Sequence, residues 1–133
     1  MWIAIALAIG FRRRSSYLPA IVLVTLSVGE STSYGLKELI GRDRPPIGEP
    51  GNPEPLMRIP YTSSLPSGHS TTAFLCATLI AFAVPRLAVP LFALAASVAW
   101  SRVYVGAHYP LDTLAGALYG TCLLYTSPSP RDS

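Results

Sequence analysis

Three short polar clusters interrupt an otherwise apolar chain, and their side chains are the kinds that handle phosphate. The first holds Lys37, Arg42 and Arg44, with Pro45 following. The second is Pro66-Ser67-Gly68-His69. The third is Ser101-Arg102, with His108 and Asp112 downstream. Together they offer cations to grip phosphoryl oxygens, two imidazoles to attack phosphorus or move protons, and a carboxylate to orient one of them. Apolar helices do not need such groups at their ends, whereas an anion whose oxygens gain charge in a transition state does.

Each cluster can be read alone. Pro66 and Ser67 stand before an apolar run, in the position of a helix N-cap, where about four backbone N–H groups lack partners and bind anions. Gly68 removes a side chain that would keep a phosphoryl oxygen from that backbone, and His69 stands at the rim. The plainer alternative is a capped helix with an incidental histidine. His108 and Asp112 are four residues apart across a helix start marked by Pro110, so their side chains face the same way. A carboxylate on one imidazole nitrogen fixes the tautomer and leaves the other nitrogen a better nucleophile or base. Here the plainer alternative is Asp112 as a first-turn acid and His108 as interfacial decoration. Lys37 and Arg44 suit phosphoryl oxygens, one as a point charge and one as a planar fork. Arg42 stays open between that role and a headgroup anchor. Glu30, inside an apolar stretch, is expected to neutralise a cluster cation, because an unpaired acid there is costly. Asp43, between two arginines, is expected to be a local salt partner.

The elements that must hold these groups are apolar helices. Half of the 133 residues are hydrophobic and 13% are charged, against about 25% charged in an ordinary soluble domain. Runs at 17–36, 70–84, 87–105 and 110–121 read as four spans, and 1–11 as the distal end of a helix whose beginning is missing. Glycines and prolines make 40–65 a loop. Barrel strands would alternate in polarity, and these runs do not. Arg12-Arg13-Arg14 and Arg86 form basic turns between spans, which the positive-inside rule puts in the cytoplasm, so the three clusters fall on the outer side. The net charge of +3 is scattered, without the basic stripes and exposed aromatics of a nucleic-acid binder. Cys76 and Cys122 lack further ligands at metal spacing, so no zinc site is expected.

Lys37 with Arg44-Pro45, then Pro66-Ser67-Gly68-His69, then Ser101-Arg102 with His108 and Asp112, resembles the three-part signature of the type 2 phosphatidic acid phosphatase (PAP2) family. That family also takes in glucose-6-phosphatase, bacterial undecaprenyl pyrophosphate phosphatases and vanadium haloperoxidases. The match runs over about residues 17–120. It implies an all-α, polytopic transmembrane bundle, here a fragment of a six-span fold, in a bacterial plasma membrane with its site facing outward. It implies hydrolysis of a phosphate ester or pyrophosphate with no metal or other cofactor. His108 is then the nucleophile, oriented by Asp112, and His69 the proton donor. Lys37, Arg44, Ser67, Gly68 and Arg102 hold the phosphate.

The expected partners are the bilayer and a lipid-linked phosphate such as undecaprenyl pyrophosphate, phosphatidylglycerol phosphate or phosphatidic acid, with no nucleic acid. The residues leave oligomeric state open. Arg58, in the loop framing the entrance, is a candidate second-phosphate contact. A phosphotransferase using the same site and a non-catalytic membrane protein stand as the alternatives. Residues 122–132 are similar, residue for residue, to the conceptual translation of a transposon-type sequencing adapter, so 122–133 are expected to be an artefactual tail. The phosphatase domain is therefore expected at 1–121, truncated at both ends.

Overall fold

A computed structural model describes residues 1–43, 63, 65–106 and 108–126, the side chains of 124–126 excepted. These residues form five α-helices: α1 (Trp2–Arg13), α2 (Tyr17–Ile40), α3 (Gly68–Ala83), α4 (Ala88–Tyr104) and α5 (Pro110–Thr126), with a 3₁₀ turn at Pro85–Leu87. Arg44, Pro45 and Arg58, and residues 127–133 of the terminal stretch, lie outside the described residues. Helix α5 runs through Thr126, past the domain end expected at 121.

Helix α3 is the centre of the bundle and packs on α5, α4 and α2. Its sequence explains that position: it is apolar around most of its circumference, and such a helix is stable only when surrounded. Residues on several faces, among them Ala73, Leu75, Cys76, Ala77 and Ile80, are buried. Helix α4 is different. Only Leu91 and Ala95 are buried, while Val89, Trp100 and Tyr104 point outward.

The contact between α3 and α5 is close because α5 presents glycines four residues apart. A Cβ on Gly116 would sit 2.6 Å from the Ser67 carbonyl oxygen, and one on Gly120 would collide with the Thr71 carbonyl oxygen. Small residues at this spacing let helix backbones approach, as in membrane helix pairs.

The connections set the polarity of the bundle. Arg14 takes a left-handed conformation (φ 53°) to end α1, and Ser15 donates its N–H to the Gly10 carbonyl at 2.9 Å. Arg13 Nη1 donates to the Ala83 carbonyl at 3.1 Å, fastening this turn to the C-terminus of α3. At its other end α2 stops at Gly41 (φ 62°), whose N–H reaches the Lys37 carbonyl at 3.0 Å, a left-handed termination that glycine adopts without a steric penalty. Helix α2 thus extends four residues past the expected boundary at 36, and Lys37 belongs to its last turn.

Of the four expected spans, one among the described residues meets the length and composition of a membrane-crossing helix by itself. Among the described residues, Pro85–Tyr104 is the helix long and apolar enough to cross a membrane. Helix α3 is apolar, but its 16 residues reach only about 24 Å, short of a hydrocarbon layer of about 30 Å. Helix α2 is long but carries Ser27, Glu30, Ser31, Thr32 and Ser33 in its second half.

Candidate functional site

The C-terminal end of α2, the N-terminus of α3, the C-terminus of α4 and the N-terminus of α5 lie at one end of the bundle, opposite the Arg13–Ala83 contact. Alternating helix direction brings Lys37 and Arg42, then Ser67, Gly68 and His69, then Arg102, then His108 and Asp112 to that end.

Ser67 is the N-cap of α3. Its backbone is extended, and its fully buried hydroxyl accepts the Ser70 N–H at 3.4 Å. Its carbonyl accepts both the N–H (2.9 Å) and the hydroxyl (3.0 Å) of Thr71. Its own N–H donates to the Asp112 carbonyl at 3.1 Å. That last bond stitches the N-terminal end of α3 to the first turn of α5. A Cβ on Gly68 would lie 3.7 Å from Lys37 Nζ, so the lysine ammonium sits beside this helix end. His69 is exposed at the rim.

His108 and Asp112 are both buried, at 5% and 0% exposure. His108 Nδ1 lies 3.8 Å from Asp112 Oδ2. The same Oδ2 accepts the Tyr109 N–H at 2.8 Å. Tyr109 is the residue before α5, so Asp112 reaches back to the N-cap amide as the acid of a capping box does. The two readings of Asp112, helix cap and histidine partner, hold together in one carboxylate. The cap bond fixes the rotamer, and the fixed rotamer presents the charge to Nδ1.

Arg42 is the residue whose place the sequence left open. Its Nη1 lies 3.3 Å from Asp112 Oδ1, and its guanidinium covers the Tyr109 ring at 4.9 Å from the centroid. Ser63 donates its hydroxyl to the Arg42 carbonyl at 3.1 Å. Arg42 therefore pairs across the bundle and not with its sequence neighbour Asp43, which is exposed. Glu30 also departs from expectation. It accepts the Thr72 hydroxyl at 2.8 Å, so among the described residues it joins α2 to α3 and does not pair with a cation. Arg102 is half-buried in the last turn of α4. No group of three His, Cys, Asp or Glu side chains that could hold a metal occurs among the described residues.

A family model described as the PAP2 superfamily matches residues 16–129. The chain belongs to the PAP2 superfamily. Within it the resemblances are to lipid phosphatases. A lipid A 1-phosphatase of Rhizobium etli is 37% identical over 110 residues, covering 79% of this chain and 47% of that protein. An Escherichia coli K12 protein named provisionally as an undecaprenyl-diphosphatase, YbjG, is 36% identical over 101 residues, 74% of this chain and 50% of that protein. The crystal structure of a transmembrane PAP2 type phosphatidylglycerolphosphate phosphatase from Bacillus subtilis superposes with a TM-score of 0.72 at 27% identity. The match covers 93% of this chain and 63% of that one. The chain spans about half the length of these two curated relatives. With the membrane-length helix at Pro85–Tyr104, this membership makes the chain part of an integral membrane protein with an all-α, PAP2-like fold.

Proposed function

We propose that the intact protein hydrolyses a lipid-linked phosphate or pyrophosphate at the membrane surface, without a metal, through a phosphohistidine on His108. The observation that carries this reading is the buried pair of His108, just before α5, and Asp112, in the first turn of α5 that bonds the N-cap of α3. An imidazole whose Nδ1 faces a fixed carboxylate keeps Nε2 for attack. The adjoining helix end, with Lys37 beside Gly68, offers N–H groups and positive charge to the phosphoryl oxygens.

In the proposed reaction, Nε2 of His108 attacks phosphorus and the P–O bond to the lipid breaks. His69 gives its proton to the departing oxygen; its exposed position suits exchange with water. Water then attacks the same phosphorus, the P–N bond breaks, the water's proton goes to His69, and inorganic phosphate leaves. Lys37, Arg102, Ser67, Gly68 and, from outside the described residues, Arg44 hold the equatorial oxygens. Such preorganised donors typically contribute about 3 kcal/mol each to a transition state. In this reading, the cations do what metal ions do in other phosphatases.

The wider frame is also a proposal. A six-span bundle would surround α3, with the site on the outer face and Arg12–Arg14 and Arg86 in the cytoplasm; the separation of the basic turns from the polar clusters supports it. The relatives' names share phosphate on a membrane lipid and differ in the lipid. The substrate class is therefore a lipid phosphate, with undecaprenyl pyrophosphate, phosphatidylglycerol phosphate, phosphatidic acid and lipid A phosphate as the panel to assay. Phosphate release by the intact membrane protein should persist in excess EDTA for at least one of these. Activity abolished by the chelator and restored by a divalent ion would overturn the metal-free mechanism.

A further inference from the structure

The proposed reaction uses one face of Asp112, and the other face is occupied. Oδ2 accepts the Tyr109 N–H at 2.8 Å and looks towards His108 Nδ1 at 3.8 Å, while Oδ1 meets Arg42 at 3.3 Å. The carboxylate has no exposure, and Arg42 is about one-third exposed. From this geometry we infer that Arg42 is a positioning residue for the nucleophile: it holds Asp112 from behind and shares its charge, so that His108 is oriented without being captured as a fixed imidazolium. This inference rests on His108 being the nucleophile.

An arginine is a cation at any working pH, so a guanidinium at 3.3 Å claims much of the carboxylate's field. A buried carboxylate left to His108 alone would favour the doubly protonated ring. That ring has no lone pair on Nε2 with which to attack phosphorus. With Arg42 in place, the neutral imidazole is favoured at the start. The carboxylate remains close enough to stabilise the positive charge that builds on the ring as the P–N bond forms. The Tyr109 ring attracts the guanidinium above it, and Gly41 turns the chain out of α2 immediately before it. Both contacts hold Arg42 on the protein, which sets it apart from a cation that waits for substrate.

Among the described residues, the other ionisable groups brought to this end are Lys37 and Glu38 on α2, Asp43 after it, His69 on α3, Arg102 and Tyr104 on α4, and Tyr109 before α5. All are unchanged in an Arg42 variant, so a shift in its pH profile reports the loss of that one cation. In the intact enzyme, with dioleoyl phosphatidic acid and undecaprenyl pyrophosphate as probes in detergent micelles, Arg42→Gln should lower kcat by about 10- to 100-fold, the range typical of lost partners behind a functional histidine. KM should stay within about threefold for both lipids, because positioning acts on the transition state and not on uniform binding. The acid limb of kcat/KM should move up by about one pH unit. Arg42→Lys should restore the limb and only part of kcat, since it keeps the charge but loses the planar guanidinium.

If Arg42→Gln does not accumulate as folded protein, Tyr109→Leu serves instead. It removes the ring beneath the guanidinium and should lower kcat severalfold at constant KM. A rise in KM that is larger for the pyrophosphate, with the acid limb unmoved, would make Arg42 a phosphate contact and overturn the inference. Unchanged kinetics would make it an anchor and overturn it equally. Failure of the underlying reading looks different, because His108→Ala would then retain activity whatever Arg42 does.

Discussion

Both ends of the bundle carry arginines, and the two sets are held in opposite ways. At one end Arg12, Arg13, Arg14 and Arg86 are exposed, and the bond that Arg13 makes is to a helix-terminal carbonyl at Ala83. At the other, Arg42 is fixed between a fully buried carboxylate and an aromatic ring. The same side chain serves as a surface fastener in water and as part of a charge network where the bundle closes over Asp112. What separates the roles is the partner. A carbonyl at a helix end needs a donor of any kind, whereas a buried carboxylate needs a cation and keeps it.

Substitutions at the two ends should therefore have effects of very different size. His108→Ala should abolish lipid phosphate release, because removing a nucleophile leaves only transition-state binding by the remaining groups; residual turnover above a few per cent would break the contrast from the site side. Gly116→Val should come next. Its Cβ would approach the Ser67 carbonyl at 2.6 Å, pushing α5 from α3 at the point where Ser67 bonds Asp112. We expect a loss of about 2 kcal/mol or more, as for an overpacked core, read by thermal unfolding in detergent, together with loss of activity. Ser67→Ala removes the cap of α3 and should cost about 1 kcal/mol, with kcat falling in addition because the hydroxyl stands at the phosphate end. Arg13→Ala should do least. One exposed hydrogen bond to Ala83 is lost, a change below about 1 kcal/mol, and phosphate release should match the wild type. A large catalytic defect in Arg13→Ala would erase the distinction between the ends.

Much of the site could be read from the sequence because the chemistry sits at helix boundaries, and boundaries leave local marks. Ser67 before an apolar run announced a cap, and Pro110 with Asp112 announced a first turn; both are present. The arginine that completes the network left no such mark. Arg42 lies 70 residues from Asp112 in the chain, and the two meet only because α2 and α5 end at the same place. Its neighbour Asp43 offered a nearer acid, but the pairing is with Asp112. Glu30 differs for a related reason. A cluster cation was expected as its partner, but the residue faces outward and, among the described residues, its partner is a threonine hydroxyl on α3. Apolarity alone does not separate a helix facing lipid from one surrounded by its neighbours. Helix α3 is the second kind, and the glycines of α5 that let it pack so closely carry no hydrophobic signal at all.

The account stands or falls on where phosphate resides during turnover. The intact enzyme, mixed with a lipid labelled in its phosphate group and quenched in alkali within a turnover, should carry acid-labile, alkali-stable phosphate on the peptide containing His108. The label should be absent from His108→Ala. Label on another side chain, or stoichiometric release from the wild type with no phosphorylated protein at any time, would contradict it.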